Sequence, residues 1–198
     1  QSIINAVASC SNGMFFENND DASYIAKTAD EAAEFLNDFE YYDKLKKCAV
    51  IAKDESLIYA YILVFYYSLE NIEECIVENL TEVIQLIVQW LQIQVPCIQE
   101  VTLLCIKDIG EMLIYGEQME VSTIIIQNIL PFATSEYIEL CKSSLFALSS
   151  CLYNTGISSN MIDIVIKTLF KILSNSEMTE LQSSVLDCLE GVVLGAEE

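Results

Sequence analysis

Residues 181–193 read LQSSVLDCLEGVV, with apolar side chains at Leu181, Val185, Leu186, Leu189, Val192 and Val193. Spacings of three and four residues gather these side chains along one broad stripe of an α-helix. Forty-one residues earlier, Leu140, Ser144, Leu145, Leu148, Cys151 and Leu152 fall at the same offsets. A further 42 residues back stand Ile98, Thr102, Leu103, Ile106, Ile109 and Gly110, and another 41 back stand Leu57, Tyr61, Ile62, Phe65, Ser68 and Leu69. Four segments therefore share apolar residues at offsets 0, 5 and 8, with small or apolar residues at 4, 11 and 12. The preceding segments keep register as well, because Trp90, Phe132 and Leu173 each lie eight residues before an anchor. A helix pair of this length cannot bury its apolar face alone, so neighbouring units must stack into a continuous core.

Helical periodicity extends through nearly every segment after Asp38. Val83, Ile84, Ile87, Trp90 and Leu91 form one stripe; Ile125, Ile126, Ile129, Leu130 and Ala133 form a second; Ile162, Val165, Ile166, Leu169, Phe170 and Leu173 form a third. Only Pro96 and Pro131 and six glycines punctuate the 198 residues, and no sustained strand-like alternation occurs. The expected fold is all-α, a right-handed α-solenoid with a period of 41–42 residues over 57–198. Residues 1–56 read as an irregular, partial N-terminal repeat. It would hold a helix tail at Ser2–Cys10, an exposed acidic loop at Ser11–Asp21, a helix around Ser23–Phe39 and an insertion. The chain starts with Gln and closes on Gly195-Ala-Glu-Glu without a polar capping repeat, which reads as part of something longer.

Composition narrows the function. Thirty acids stand against nine bases, all of them lysine, for a net charge of −21. With no histidine there is no imidazole base and no His metal ligand; with no arginine there is no bidentate phosphate clamp. So acidic a chain is repelled by nucleic-acid phosphates and anionic lipid, and the partners that suit it are basic. Gly-rich phosphate loops, nucleophile elbows and metal-ligand spacings are missing from the sequence, so neither catalysis nor a cofactor is expected. The cluster Glu17, Asp20 and Asp21 lacks the spacing and central glycine of a calcium loop. Lys44, Lys46 and Lys47 form a basic cluster suited to pairing with that acidic loop. Two uncharged runs, Val83–Gln99 and Ser143–Ile162, are broken by glutamines and Pro96 or by Ser, Asn and Gly, so neither reads as a membrane span. Eight cysteines occur with no C-x-x-C pair, most within apolar helical stretches, and read as reduced core thiols in the cytoplasm or nucleus.

Period and junctions together resemble the armadillo family, and within it importin-α. The segment ILSNSEMTELQSSVLDCLEGVVLGAEE is similar to a late repeat of that family, MLIYGEQMEVSTIIIQNILPFA to the junction between repeats, and FYYSLENIEECIVEN to a middle repeat. The resemblance covers residues 57–198 and implies a concave groove, lined by the third helix of each repeat, that captures basic localisation peptides. The family places Trp at offset 6 and Asn at offset 10. Those positions read Leu63 and Tyr67, Leu104 and Asp108, Phe146 and Ser150, and Asp187 and Gly191 here, none of them a Trp–Asn pair. The resemblance implies that Phe146 would replace the Trp platform for lysine stems and Ser150 would be a weaker substitute for the Asn amide.

The expected function is non-enzymatic binding of an extended, basic protein segment across these eight positions. Two alternatives stand beside it: an importin-α-like import adaptor, and a scaffold subunit that joins other subunits through the exposed ends of the solenoid. Asp108, Glu111, Glu70, Asp187 and Glu190 would either form an acidic channel or be a solvated face of an acidic protein. The tyrosines at 59, 61, 66 and 67 would either present an anchor surface or pack between helices. Trp90, on the second helix of its repeat, is assigned to the core.

Overall fold

The computed structural model describes residues 55–113 and 118–195. The sequence readings on Ser2–Cys10, Ser11–Asp21, Ser23–Phe39 and the Lys44–Lys47 cluster lie outside them. Eight α-helices occur among the described residues: α1 (Glu55–Ser68), α2 (Glu73–Glu78), α3 (Leu80–Leu91), α4 (Pro96–Met112), α5 (Met119–Ile129), α6 (Ile138–Thr155), α7 (Ser159–Leu173) and α8 (Gln182–Gly195). Short 3-10 turns at Leu69–Ile72, Leu130–Thr134 and Ser176–Leu181 make corners between them, and no strand is present among the described residues.

The boundaries follow local chemistry. Pro96 opens α4 at its first turn, where the missing N–H is one of the orphan donors and its fixed φ suits a helix. Pro131 ends α5 and starts the turn Leu130–Thr134. Gly156 stops α6 at φ 77°, a conformation that L side chains rarely adopt.

The four repeat segments found in the sequence are α1, α4, α6 and α8. They pack successively, α1 on α4, α4 on α6 and α6 on α8, as a ladder of inner helices. On one side of that ladder α3 packs on α4, α5 on α6, and α7 on α8. The result is an all-α solenoid.

Its core is continuous along the ladder. The residues at offset 8, Phe65, Ile106 and Leu148, are buried, as are those at offset 5, Ile62, Leu103 and Leu145. Trp90 is buried with its ring edge-on to Phe65, centroids 5.5 Å apart, so it belongs to the core. All members of the first two apolar stripes, on α3 and on α5 with its following turn, are buried. The third is only half covered: Val165 and Leu169 are buried, whereas Phe170 is exposed. Six described cysteines are free; five are buried and Cys97 is half-buried. Burial pushes the Cys151 and Cys188 thiols up to about 12, so they stay protonated and behave as small apolar groups.

Buried polar groups inside the stack find partners. Gln99 donates from Nε2 to the Leu91 carbonyl at 3.2 Å, satisfying an orphan acceptor at the end of α3. Ser144 donates to the Ile129 carbonyl at 2.8 Å, and Thr155 Oγ1 lies 2.6 Å from Ser122 Oγ, joining α6 to α5 twice.

Candidate functional site

With α3, α5 and α7 on one side of the ladder, its other side carries offsets 6, 10 and 13 of each inner helix, which share a face at 100° per residue. The eight sequence-derived positions spread unevenly over that side. Phe146 is exposed and Asp187 is exposed, while Tyr67, Leu104, Asp108 and Ser150 are half-buried. Leu63 is buried in the core, and Gly191 is buried in a helix contact: a Cβ there would lie 2.9 Å from Leu152 Cβ. Neither of these two offers a side chain to a ligand.

The ladder face is wired by contacts that the offsets alone did not reveal. Ser150 donates its hydroxyl to the Lys107 carbonyl at 2.8 Å, so this group ties α6 to α4. Lys107 in turn donates from Nζ to Asp108 Oδ1 and to Glu111 Oε1, each at 2.9 Å. Burial draws the Lys107 ammonium down, but the hydrogen bonds and charges of Asp108 and Glu111 outweigh it and hold the pKa above the ordinary lysine value. Asp108 is therefore partly neutralised by a neighbour on its own helix. Tyr66 sits against this group; burial first and the Asp108 carboxylate next raise its phenol. Tyr66 and Tyr67 pack edge-on with centroids 5.1 Å apart, whereas Tyr61 is buried in the core.

Farther along, Tyr153 and Glu190 bridge α6 and α8. A hydrogen bond with the Glu190 carboxylate, reinforced by burial and by Asp187, pushes the Tyr153 phenol up to about 12. Phe146 and Tyr153 are 46 % and 38 % exposed, seven residues apart on α6, and thus two turns apart on one face. Tyr153 was not among the sequence-derived positions, although its place one turn beyond Ser150 at offset 13 could have marked it. Lys107 was missed because no spacing rule announces a cation beside an expected acidic channel.

The face so assembled offers two aromatic surfaces and carboxylates at Asp187 and Glu190, with Asp108 and Glu111 both bound by Lys107. No group of three or more metal-binding side chains converges among the described residues. No helix among them is long and apolar enough to cross a membrane. Aromatic rings beside carboxylates hold cations by ring-face attraction and charge together, which is binding chemistry.

No family model matches the chain, and no curated protein matches its sequence. Solved structures do resemble it. A designed armadillo repeat protein in complex with the peptide (KR)4 superposes with a TM-score of 0.63 at 12 % identity, over 95 % of this chain and 82 % of that one. An engineered protein superposes with a TM-score of 0.64 at 15 % identity, over 96 % of this chain and 81 % of that one. At such identities the likeness speaks for the fold alone, and the fold is an armadillo-like solenoid of stacked helices.

Proposed function

We propose that this protein is a non-enzymatic binding module that holds an extended, basic protein segment along the face formed by α1, α4, α6 and α8. The observation that carries the reading is that exposed Phe146 and Tyr153 lie two turns apart on one face of α6, with the Glu190 carboxylate of α8 hydrogen-bonded to Tyr153 and Asp187 nearby. Lysine or arginine stems would lie on the rings and direct their charged ends to the acids. The similar designed protein was solved with the alternating basic peptide (KR)4, a ligand of the chemistry this face suits. A net charge of −21 adds long-range attraction that hastens encounter and makes binding weaken with salt.

The narrower reading, an import adaptor for localisation signals, needs amide groups along the groove to fix the peptide backbone. Ser150 is the candidate nearest that role, and its hydroxyl proton is already given to Lys107. The broader reading of a general basic-segment binder is therefore preferred.

A titration of the 198-residue chain with a fluorescent lysine-rich peptide, at low and at physiological salt, tests the proposal. Saturable binding should weaken roughly tenfold in Phe146→Ala and again in Glu190→Lys. Binding unchanged by both substitutions would sink the assignment of this face. A localisation sequence that outcompetes its charge-matched scramble would move the preference to the adaptor reading.

A further inference from the structure

One position of the repeat carries opposite charges at different places along the ladder face. At offset 9 stand Tyr66 on α1, Lys107 on α4, Ser149 on α6 and Glu190 on α8. Lys107 starts at the edge of the face, and its ammonium reaches across it to lie 2.9 Å from both Asp108 at offset 10 and Glu111 at offset 13. Tyr66, on the neighbouring helix, feels both the Asp108 and the Lys107 charge. The acids of α4 are thus already holding a lysine, supplied by the helix that carries them. That lysine sits one and four residues from its partners, so it competes with any outside cation without having to associate.

The acids of α8 are matched differently. Glu190 is hydrogen-bonded to the Tyr153 phenol, which keeps its proton up to about 12, so the partner is neutral and the carboxylate keeps its full charge. No lysine stands on α8, and neither Asp187 nor Glu190 has an ion pair among the described residues. Lys142, one turn before Phe146 on α6, is held by Glu139 and by Glu180 at 3.1 and 3.4 Å, seven residues before Asp187. Packed helices stand about 8–10 Å apart and an extended chain advances about 3.3 Å per residue. About three residues of a bound segment therefore separate what lies over α4 from what lies over α6.

We infer that Lys107 is a built-in occupant of the groove and its specificity-determining residue: its ammonium fills over α4 the role that a basic residue of the bound segment fills over α6 and α8. The inference rests on the binding reading above and narrows its ligand. The segments selected carry their cations at one end, over Phe146, Tyr153 and the α8 acids, and a neutral or acidic residue over α4. A cation brought over α4 must either displace Lys107 from two charge-assisted hydrogen bonds or lie beside a like charge. The same asymmetry orients the segment, because only one end of the groove has carboxylates without a cation of their own.

Two fluorescent peptides of equal length test it, one with lysines throughout and one with lysines in one half and Gly-Ser in the other. Titrated with the 198-residue chain at physiological salt, they should bind the wild type within about threefold of each other. Lys107→Gln frees Asp108 and Glu111 and should favour the all-lysine peptide at least about tenfold. Lys107→Arg keeps the cation and should match the wild type. Lys171→Gln removes the same charge from α7 and should keep the wild-type ratio. Circular dichroism checks each fold, and Lys107→Met, which keeps the apolar stem, replaces the Gln variant if that one is disturbed. A ratio unmoved by Lys107→Gln, or moved as far by Lys171→Gln or Lys107→Arg, overturns the inference. If Phe146→Ala still weakens both peptides in that case, the binding reading stands without it. Binding of neither peptide by any of these chains overturns the binding reading and this inference together.

Discussion

The α4–α6 contact and the α6–α8 contact solve one problem with different residues. In the first, Gly110 on the earlier helix makes room: a Cβ there would stand 3.0 Å from Ser150 Oγ and 3.2 Å from the Cys151 nitrogen. In the second, the room comes from the later helix, where Gly191 abuts Leu152 and Gly195 comes close to Gly156. Each contact is then fastened by a side-chain donor reaching a carbonyl 43 residues earlier, Ser150 to Lys107 and Cys188 to Leu145. Close approach and a cross-helix hydrogen bond recur, while the residue that provides them changes offset. The constraint on an armadillo-like repeat is thus on the gap between helices, and sequences can meet it in several ways.

The comparison is broken most forcefully from the middle. Leu148 is fully buried in α6, between two inner helices, while its counterpart Leu189 in α8 is only half-buried. Leu148→Ala should cost about 2–5 kcal/mol, because the surrounding layers cannot collapse into the cavity. Leu189→Ala should cost about 1 kcal/mol, having less area to lose. Paired denaturant unfolding curves decide it. Equal losses would mean that α6 and α8 are not in equivalent registers.

Next comes the helix gap itself. Gly191→Ala adds a methyl 2.9 Å from Leu152 Cβ, an atom fixed to the backbone that cannot swing away. The gain in helix propensity, about 1 kcal/mol, opposes a packing penalty of about 1–3 kcal/mol. A net loss of stability is expected from thermal melts. A stabilised variant would show that α6 and α8 are not held at this spacing.

The fold was open to a reader of the sequence because apolar periodicity and the 41–42-residue spacing both report burial, which physical stacking requires at every layer. Leu148, Trp90 and the stripes on α3 and α5 sit where their spacing put them. Phe170 did not, since periodicity marks a residue as apolar without saying whether a neighbouring layer reaches it. The candidate site was legible in part. Offsets 6 and 10 found Phe146 and Asp187 on the open side, but they also collected Leu63 and Gly191, which packing withdraws. The Tyr153–Glu190 bridge and the Lys107 pairings depend on rotamers and on how far adjacent helices slide, and neither leaves a trace in a single sequence.

Ser150 sharpens the comparison at the other contact. Ser150→Ala removes the hydroxyl that reaches Lys107, at a cost of about 1 kcal/mol for one neutral hydrogen bond. Cys188→Ala should cost more, because a buried thiol also fills space between α8 and α6. Chemical denaturation of the two variants ranks them. The reverse order would place the greater share of the fastening in the α4–α6 hydrogen bond.

The smallest effect concerns a charge at the α4–α6 junction that has no equivalent at α6–α8. Glu100 on α4 is half-buried, and burial first, then the Glu139 carboxylate on α6, raises its pKa. Lys142 takes up part of the Glu139 charge at 3.1 Å but leaves this repulsion in place. A carboxyl whose folded pKa exceeds its unfolded value favours the fold when protonated. That stabilisation is present below the unfolded pKa, near 4.3, and disappears as pH rises through the folded value. Glu100→Gln should therefore be more stable than the wild type at pH 7, by less than about 1 kcal/mol since the site is partly solvated. The advantage should shrink as pH falls toward about 4, where the wild-type carboxyl regains its proton. Urea midpoints measured across that range test the sign. A difference that does not vary with pH would mean that Glu100 is neither desolvated by the α4–α6 contact nor repelled by Glu139 in the folded chain.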